Sequence, residues 1–253
     1  MRQTSLPFFK INSLINSTPV SKLIAFRNIH ISDIVNTTQE DLISIGGISN
    51  TQDISFEFTN ITFTGISYSR SGNLLNLNHL LASQVLIQDS SFTNLVNAGI
   101  RIGGTTSTNN SIKSQVKITN SIFDYTIVST ASFISTYTKS EVEIINCTFT
   151  NMATLDNGAV LRAMSTEVIV NISDSVFQNN SAIEGSLFNI ESLGVVKCTN
   201  CTITNNFAVT SGIVRTDTNG YFELYGSTIT QNFAVNYVIS VLFDSVNLSV
   251  INC

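Results

Sequence analysis

Apolar and polar residues alternate along this chain in short runs, and each run ends at the same kind of residue. Apolar side chains stand two and four positions before a recurring Asn, Asp or Gly, as Phe56/Phe58, Val116/Ile118, Val142/Ile144, Val170/Ile172 and Phe222/Leu224. The positions between them are mostly polar. Period-2 alternation predicts a strand with one buried face. After the recurring residue the phase shifts, so that Cys147/Phe149, Ser175/Phe177, Cys201/Ile203 and Ser227/Ile229 become the buried pairs. A strand that changes phase at a single Asn has turned a corner, and Asn and Asp tolerate the left-handed backbone that such a corner needs. A third apolar stretch follows ten to sixteen residues on, as in Leu74–Leu77, Ala159–Leu161 and Leu187–Ile190.

The corner residues are Asn28, Asn60, Asp89, Asn120, Asn146, Asp174, Asn200, Gly226 and Asn252, in steps of 32, 29, 31, 26, 28, 26, 26 and 26 residues. A period of this size, with three strands per turn, predicts a solenoid in which each unit buries its apolar side against the next. The fold class expected is all-β: a right-handed, single-stranded parallel β-helix of about nine coils of 26–32 residues. Stacked Phe63, Phe92, Phe123, Phe149 and Phe177 would fill its interior, and the corner residues would form a ladder. A β-sandwich of many short strands would not need the same phrase at each corner. The expected organisation is an irregular lead-in over 1–22 and the β-helix over 23–253. The last phrase breaks off at Cys253 with no capping segment, so the solenoid is expected to be part of a longer protein or of a polymer.

The pattern resembles the right-handed β-helix (pectin-lyase-like) superfamily. The coils over 146–240 are also similar to repeats of polymorphic outer-membrane proteins and protist surface proteins, which pair a Phe-x-x-Asn phrase with a Gly-Gly-Ala-Ile phrase. Here Phe177-Gln178-Asn179-Asn180 leads to Gly185-Ser186-Leu187, and Phe149-Thr150-Asn151 leads to Gly158-Ala159-Val160. The second Gly is missing, and Ile203 replaces Phe in a later coil. The resemblance implies a surface or secreted adhesin or scaffold, by analogy of fold.

Charge is sparse. Charged residues make up 11% of the chain, and 12 Lys and Arg, none clustered, against 17 Asp and Glu leave a net charge of −5. That excludes the basic footprint of a nucleic-acid binder. No apolar stretch reaches the length of a membrane span.

Catalytic chemistry was sought in carboxylate pairs, in carboxylate clusters with an Arg or Lys base, and in histidine. His30 and His79 are isolated. Asp124, Glu141 and Glu143 form no ladder across coils, and Glu141 and Glu143 alternate on one strand as a solvated face does. These positions give no active site, no metal site and no need for a cofactor. Outward Thr pairs at Thr62/Thr64, Thr148/Thr150, Thr202/Thr204 and Thr228/Thr230 suggest a flat Thr array of the ice-binding kind, interrupted at Ser91/Thr93, Ile122/Asp124 and Val176/Gln178; Thr is also an ordinary strand former on an exposed face.

Cys198 and Cys201 flank one corner with both side chains directed inward, as two buried thiols or a local disulfide; a zinc site lacks a second ligand pair. Cys147 and Cys201 are two coils apart, too far to bridge. Asn-x-Ser/Thr sequons suited to glycans lie at Asn16, Asn36, Asn109, Asn171, Asn179 and Asn247, with Asn36, Asn109 and Asn179 placed on loops, whereas Asn60, Asn146 and Asn200 belong to the corner ladder. The expectation for function is a non-enzymatic, extracellular or cell-surface structural and adhesive rod. It would take protein partners, or a second copy, at its ends, and possibly glycans. The alternatives are a carbohydrate-binding or polysaccharide-degrading β-helix protein and an ice-binding Thr surface.

Overall fold

In a computed structural model the chain winds into a parallel β-helix, described over residues 2–4, 9–12, 22–36, 41–46, 54–78, 84–103, 114–129, 132–137, 140–165, 167–217, 219–241 and 247–253. The strand before the corner stacks nine deep: the first halves of Lys22–Ser32 and Ile54–Asn78, then Gln84–Gln88, Ser114–Thr119, Ser140–Ile145, Ile169–Ser173, Val195–Thr199, Tyr221–Tyr225 and Asn247–Ile251. All these pairings are parallel and in register, so residues at one position form a column along the axis. This stack is the first face. The strand after the corner forms a second face, and Leu161–Ala163, Phe188–Ile190 and Val214–Thr216 belong to the third.

Every one of the nine corner residues has positive φ, between 50° and 56°. Their side chains hydrogen-bond up the stack: Asn60 Nδ2 donates to Asn28 Oδ1 at 2.8 Å, and Asn146 Nδ2 to Asn120 Oδ1 at 2.9 Å. Just inside the corner runs a second ladder. The Ser175 hydroxyl accepts from the Cys147 backbone N–H at 3.1 Å and donates to the Ser173 carbonyl at 2.8 Å, and Ser227 does the same for Cys201 and Tyr225. These hydroxyls satisfy backbone groups that the turn takes out of the sheet. The phenylalanines stack beside them, with centroids 4.5 Å apart for Phe123–Phe149 and 5.1 Å for Phe149–Phe177.

Two features depart from the sequence expectation. Five residues after each corner the chain turns again, at Asp33, Gly65, Asn94, Tyr125, Asn151, Asn179, Asn205 and Gln231, all at positive φ. A short strand follows this second corner, as at Ala153–Thr154 and Phe207–Ala208, so each coil has one more straight segment than the three expected. Half of these residues are Asn and the others are Asp, Gly, Tyr and Gln, so no single phrase marks the second corner along the whole chain. Residues 1–22 are also not wholly irregular. Arg2–Thr4 pairs with Ile34–Asn36 and Phe9–Asn12 with Ile43–Gly46, adding a strand to two faces.

Candidate functional site

Because the first face is in register, its outward residues fall into columns that the sequence lists only at intervals. One column runs Leu23, Ser55, Gln84, Gln115, Glu141, Ile169, Val195, Tyr221; its neighbour runs Ala25, Glu57, Leu86, Lys117, Glu143, Asn171, Lys197, Glu223. Over the first five coils these columns border an open groove of about 430 Å³, whose polar lining is Ser55, Glu57, Gln84, Gln115, Lys117, Glu141 and Glu143. Leu23 and Leu86 give it apolar patches. A groove of this size, with amides, carboxylates and one ammonium on a rigid sheet, suits a hydroxyl-rich ligand.

The charges in it are mostly matched. Lys117 Nζ lies 3.0 Å from Glu143 Oε2 on the next coil. Arg27 grips Glu57 at 2.6 and 3.0 Å, and that hydrogen bond, with one from Thr59, holds the Glu57 carboxyl below the usual glutamate range. Farther along, Lys197 lies 3.2 Å from Glu223, whose carboxyl is lowered first by the Tyr221 hydroxyl, which donates to it at 2.9 Å, and then by Lys197. Glu141 has no hydrogen-bond or ion-pair partner among the described residues. The groove therefore carries one unmatched negative charge.

Glu141 and Glu143 stand on the outward, solvated side of their strand as the sequence indicated, and the structure adds that both line the groove, beside Gln84, Gln115 and Lys117, which the sequence reading did not single out. The signal was present in the columns but required the register between coils of 29, 31 and 26 residues. Asp124 lies elsewhere, on the second face, where it accepts from Thr150 Oγ1 at 2.7 Å and Asn151 Nδ2 at 2.8 Å. His30 is exposed on that face opposite Thr62, and His79 lies outside the described residues. The Thr columns of the second face are broken where Ile122, Val176, Asp124 and Gln178 stand.

Both thiols of Cys198 and Cys201 are free and buried. Burial pushes the Cys198 thiol up, and its hydrogen bond to the Cys201 sulfur lowers Cys201. Burial likewise raises Cys147, to about 11. Among the described residues no group of three or more His, Cys, Asp or Glu is placed to hold a metal ion, and no helix is long and apolar enough to cross a membrane. Of the sequons, Asn36 is corrected: it ends the strand Ile34–Asn36 rather than lying on a loop, and at 1% exposure it has no room for a glycan. Asn179 is exposed at a second corner, Asn171 faces outward from the first face, and Asn247 lies in a paired strand. Asn16 and Asn109 fall outside the described residues.

No protein-family model matches the sequence, and no curated protein does. Among solved structures, an alginate lyase from a Paenibacillus species matches with a TM-score of 0.31 and 10% identity over 92% of this chain and 94% of that one. A likeness at that level assigns this chain no activity. The expectation of a non-enzymatic structural and adhesive rod is corrected at this point: the face expected to be merely solvated also carries a groove.

Proposed function

We propose that the chain is a polysaccharide-binding β-helix protein that holds a linear, uncharged glycan along the first face. The observation that carries this reading is the groove of about 430 Å³ with Gln84, Gln115, Lys117, Glu141 and Glu143 in two columns. Successive coils repeat at ~4.8 Å, similar to the rise of one sugar unit in an extended chain, so donors and acceptors recur in step with ring hydroxyls. The unmatched Glu141 favours a neutral glycan over a polyuronate, whose carboxylates it would repel. Such ligands lie outside cells, and an extracellular location belongs to the same reading.

A second reading, cleavage, is favoured by one observation. Glu141 and Glu143 stand two residues apart on Ser140–Ile145 and border the same groove. Strand rise separates their Cα atoms by ~6.6 Å, which brings both carboxyls to one stretch of the groove. In hydrolytic cleavage one carboxyl donates a proton to the leaving oxygen, a role that Glu141 could take only in its protonated form. Glu143, beside Lys117, would take a proton from the water whose oxygen attacks the anomeric carbon.

Titration of the full chain with soluble β-glucan, xylan and a polyuronate tests both readings. Saturable binding of a neutral glycan, weakened tenfold or more in Gln115→Ala and Glu141→Ala, supports the groove. Equal binding by wild type and both variants overturns it. Release of reducing ends that Glu141→Gln abolishes adds hydrolysis; reducing ends accompanied by an unsaturated, ultraviolet-absorbing product would instead mean elimination.

A further inference from the structure

The third face carries a column of its own, which runs Asn76, Arg101, Ser135, Arg162, Asn189, Arg215. Three arginines thus recur on alternate coils, and two are neutralised. Arg162 lies 3.0 Å from Glu191, and Arg215 lies 2.7 Å from Glu184 and 3.5 Å from Asp217. Arg101 has no carboxylate and no hydrogen-bond acceptor among the described residues, and its Nε is buried without a partner. Its guanidinium lies 4.4 Å over the ring of Tyr137. Arg101 and Tyr137 border a cavity of about 200 Å³, closed on its other sides by Gly72, Asn73, Gly99, Val128, Ser132 and Ser135. Glycine keeps the wall thin: a Cβ on Gly99 would come within 2.7 Å of the Phe133 carbonyl oxygen.

We propose that this cavity is a binding site for an oxyanion, a carboxylate, sulfate or phosphate group, held by the fork of Arg101. A buried guanidinium without an acceptor costs free energy. Arg215 also has a buried Nε without a partner, but its terminal nitrogens, like the guanidinium of Arg162, meet carboxylates of the chain. At Arg101 the chain supplies a cavity instead. Stacking on Tyr137 holds the guanidinium plane and leaves its edge for a bidentate contact. The volume takes one such group and not a length of glycan. The site lies on a different face from the groove and does not depend on what the groove binds. The oxyanion can be free in solution or borne by an acidic sugar, and the two sources share this chemistry.

Calorimetric titration of the full chain with sodium sulfate, and separately with sodium glucuronate, tests the proposal at low ionic strength. Saturable binding of either, reduced tenfold or more in Arg101→Gln and not restored in Arg101→Lys, is the expected result. Glucuronate binding tighter than sulfate assigns the source to acidic sugars, and the reverse order assigns it to free anions. Tyr137→Leu should also weaken binding, which covers the case in which Arg101→Gln fails to fold. Lys197→Gln, on the first face beyond the groove, should leave both titrations unchanged. Heat changes no larger than those of sodium chloride, or affinities that Arg101→Gln and Tyr137→Leu leave intact, overturn the proposal.

Discussion

The coils from Asp174 onward advance by 26 residues each, while those between Asn28 and Asn120 advance by 29 to 32, and the two regions treat their polar groups differently. In the regular coils polar side chains meet counterparts one coil on. Inside the second corner, Asn206 Nδ2 donates to the Phe177 carbonyl at 3.0 Å and to Asn232 Oδ1 at 2.9 Å, while Asn206 Oδ1 accepts from the Asn180 backbone and side chain. Outside, Lys197 meets Glu223. In the longer coils the register slips between Ser67 and Gly72 and again between Asn73 and Leu75. There Arg101 lacks an acceptor, and both cavities with polar walls described above are lined in part by these coils. Strict repetition completes this inner Asn column, while in the same coils Ser186, Asn189, Ser211, Arg215 and Thr216 each keep a buried polar atom without a partner. A change of coil length goes with open room beside the sheet.

The largest expected effect breaks that comparison at Asn206. Asn206→Ala leaves the Phe177 carbonyl and the amides of Asn180 and Asn232 short of partners in a buried setting, at about 1–3 kcal/mol for each unsatisfied group. A loss of ~2–4 kcal/mol in denaturant unfolding is expected. Arg101→Gln removes only the contact with the Tyr137 ring and should stay within about 1 kcal/mol of wild type. Equal losses in the two variants would show that coil length does not decide which polar groups are structural.

A smaller effect concerns the corner that both regions share. Asn200 sits at φ 54°, and Asn200→Ala places a side chain there that gains nothing from its own backbone, at a cost of ~1–2 kcal/mol. Asn200→Gly should cost less, as the chain's own Gly226 at φ 56° indicates. If Ala and Gly destabilise equally, the hydrogen bond to Asp174, at 3.3 Å, matters more than the backbone.

The regular coils were the legible ones. Apolar alternation and the corner phrase placed the first face, the Phe stack and the nine positive-φ residues, because a buried period-2 face and a left-handed corner restrict residue choice strongly. The second corner was not legible: Asp33, Gly65, Tyr125 and Gln231 all occupy it, so residue type alone does not mark it. The groove was hidden for another reason. Glu141 and Gln115 are 26 residues apart in sequence yet adjacent in one column, and only the cross-coil register shows that. Arg101 was passed over since nothing in its neighbourhood, Gly99-Ile100-Arg101-Ile102-Gly103, reveals which arginines will find a carboxylate.

The smallest expected effect is the pH response, and it compares one ion pair from each region. Arg27 lowers Glu57 in the longer coils, and Tyr221 followed by Lys197 lowers Glu223 in the regular ones. A carboxyl whose folded value lies below its unfolded one binds fewer protons when folded. Its contribution is therefore present above the ordinary glutamate range and is lost as pH falls through the depressed folded value. Both pairs are solvent-exposed, so screening keeps each contribution small and makes it smaller in salt. Thermal melting of wild type should consequently fall between ~pH 5 and ~pH 3, and Glu57→Gln together with Glu223→Gln should flatten that fall without altering its direction. The two single variants should flatten it by similar amounts, since an exposed pair needs only its neighbour and not a regular coil. A response confined to Glu223→Gln would mean that coil regularity governs surface ion pairs as well as the buried ladder.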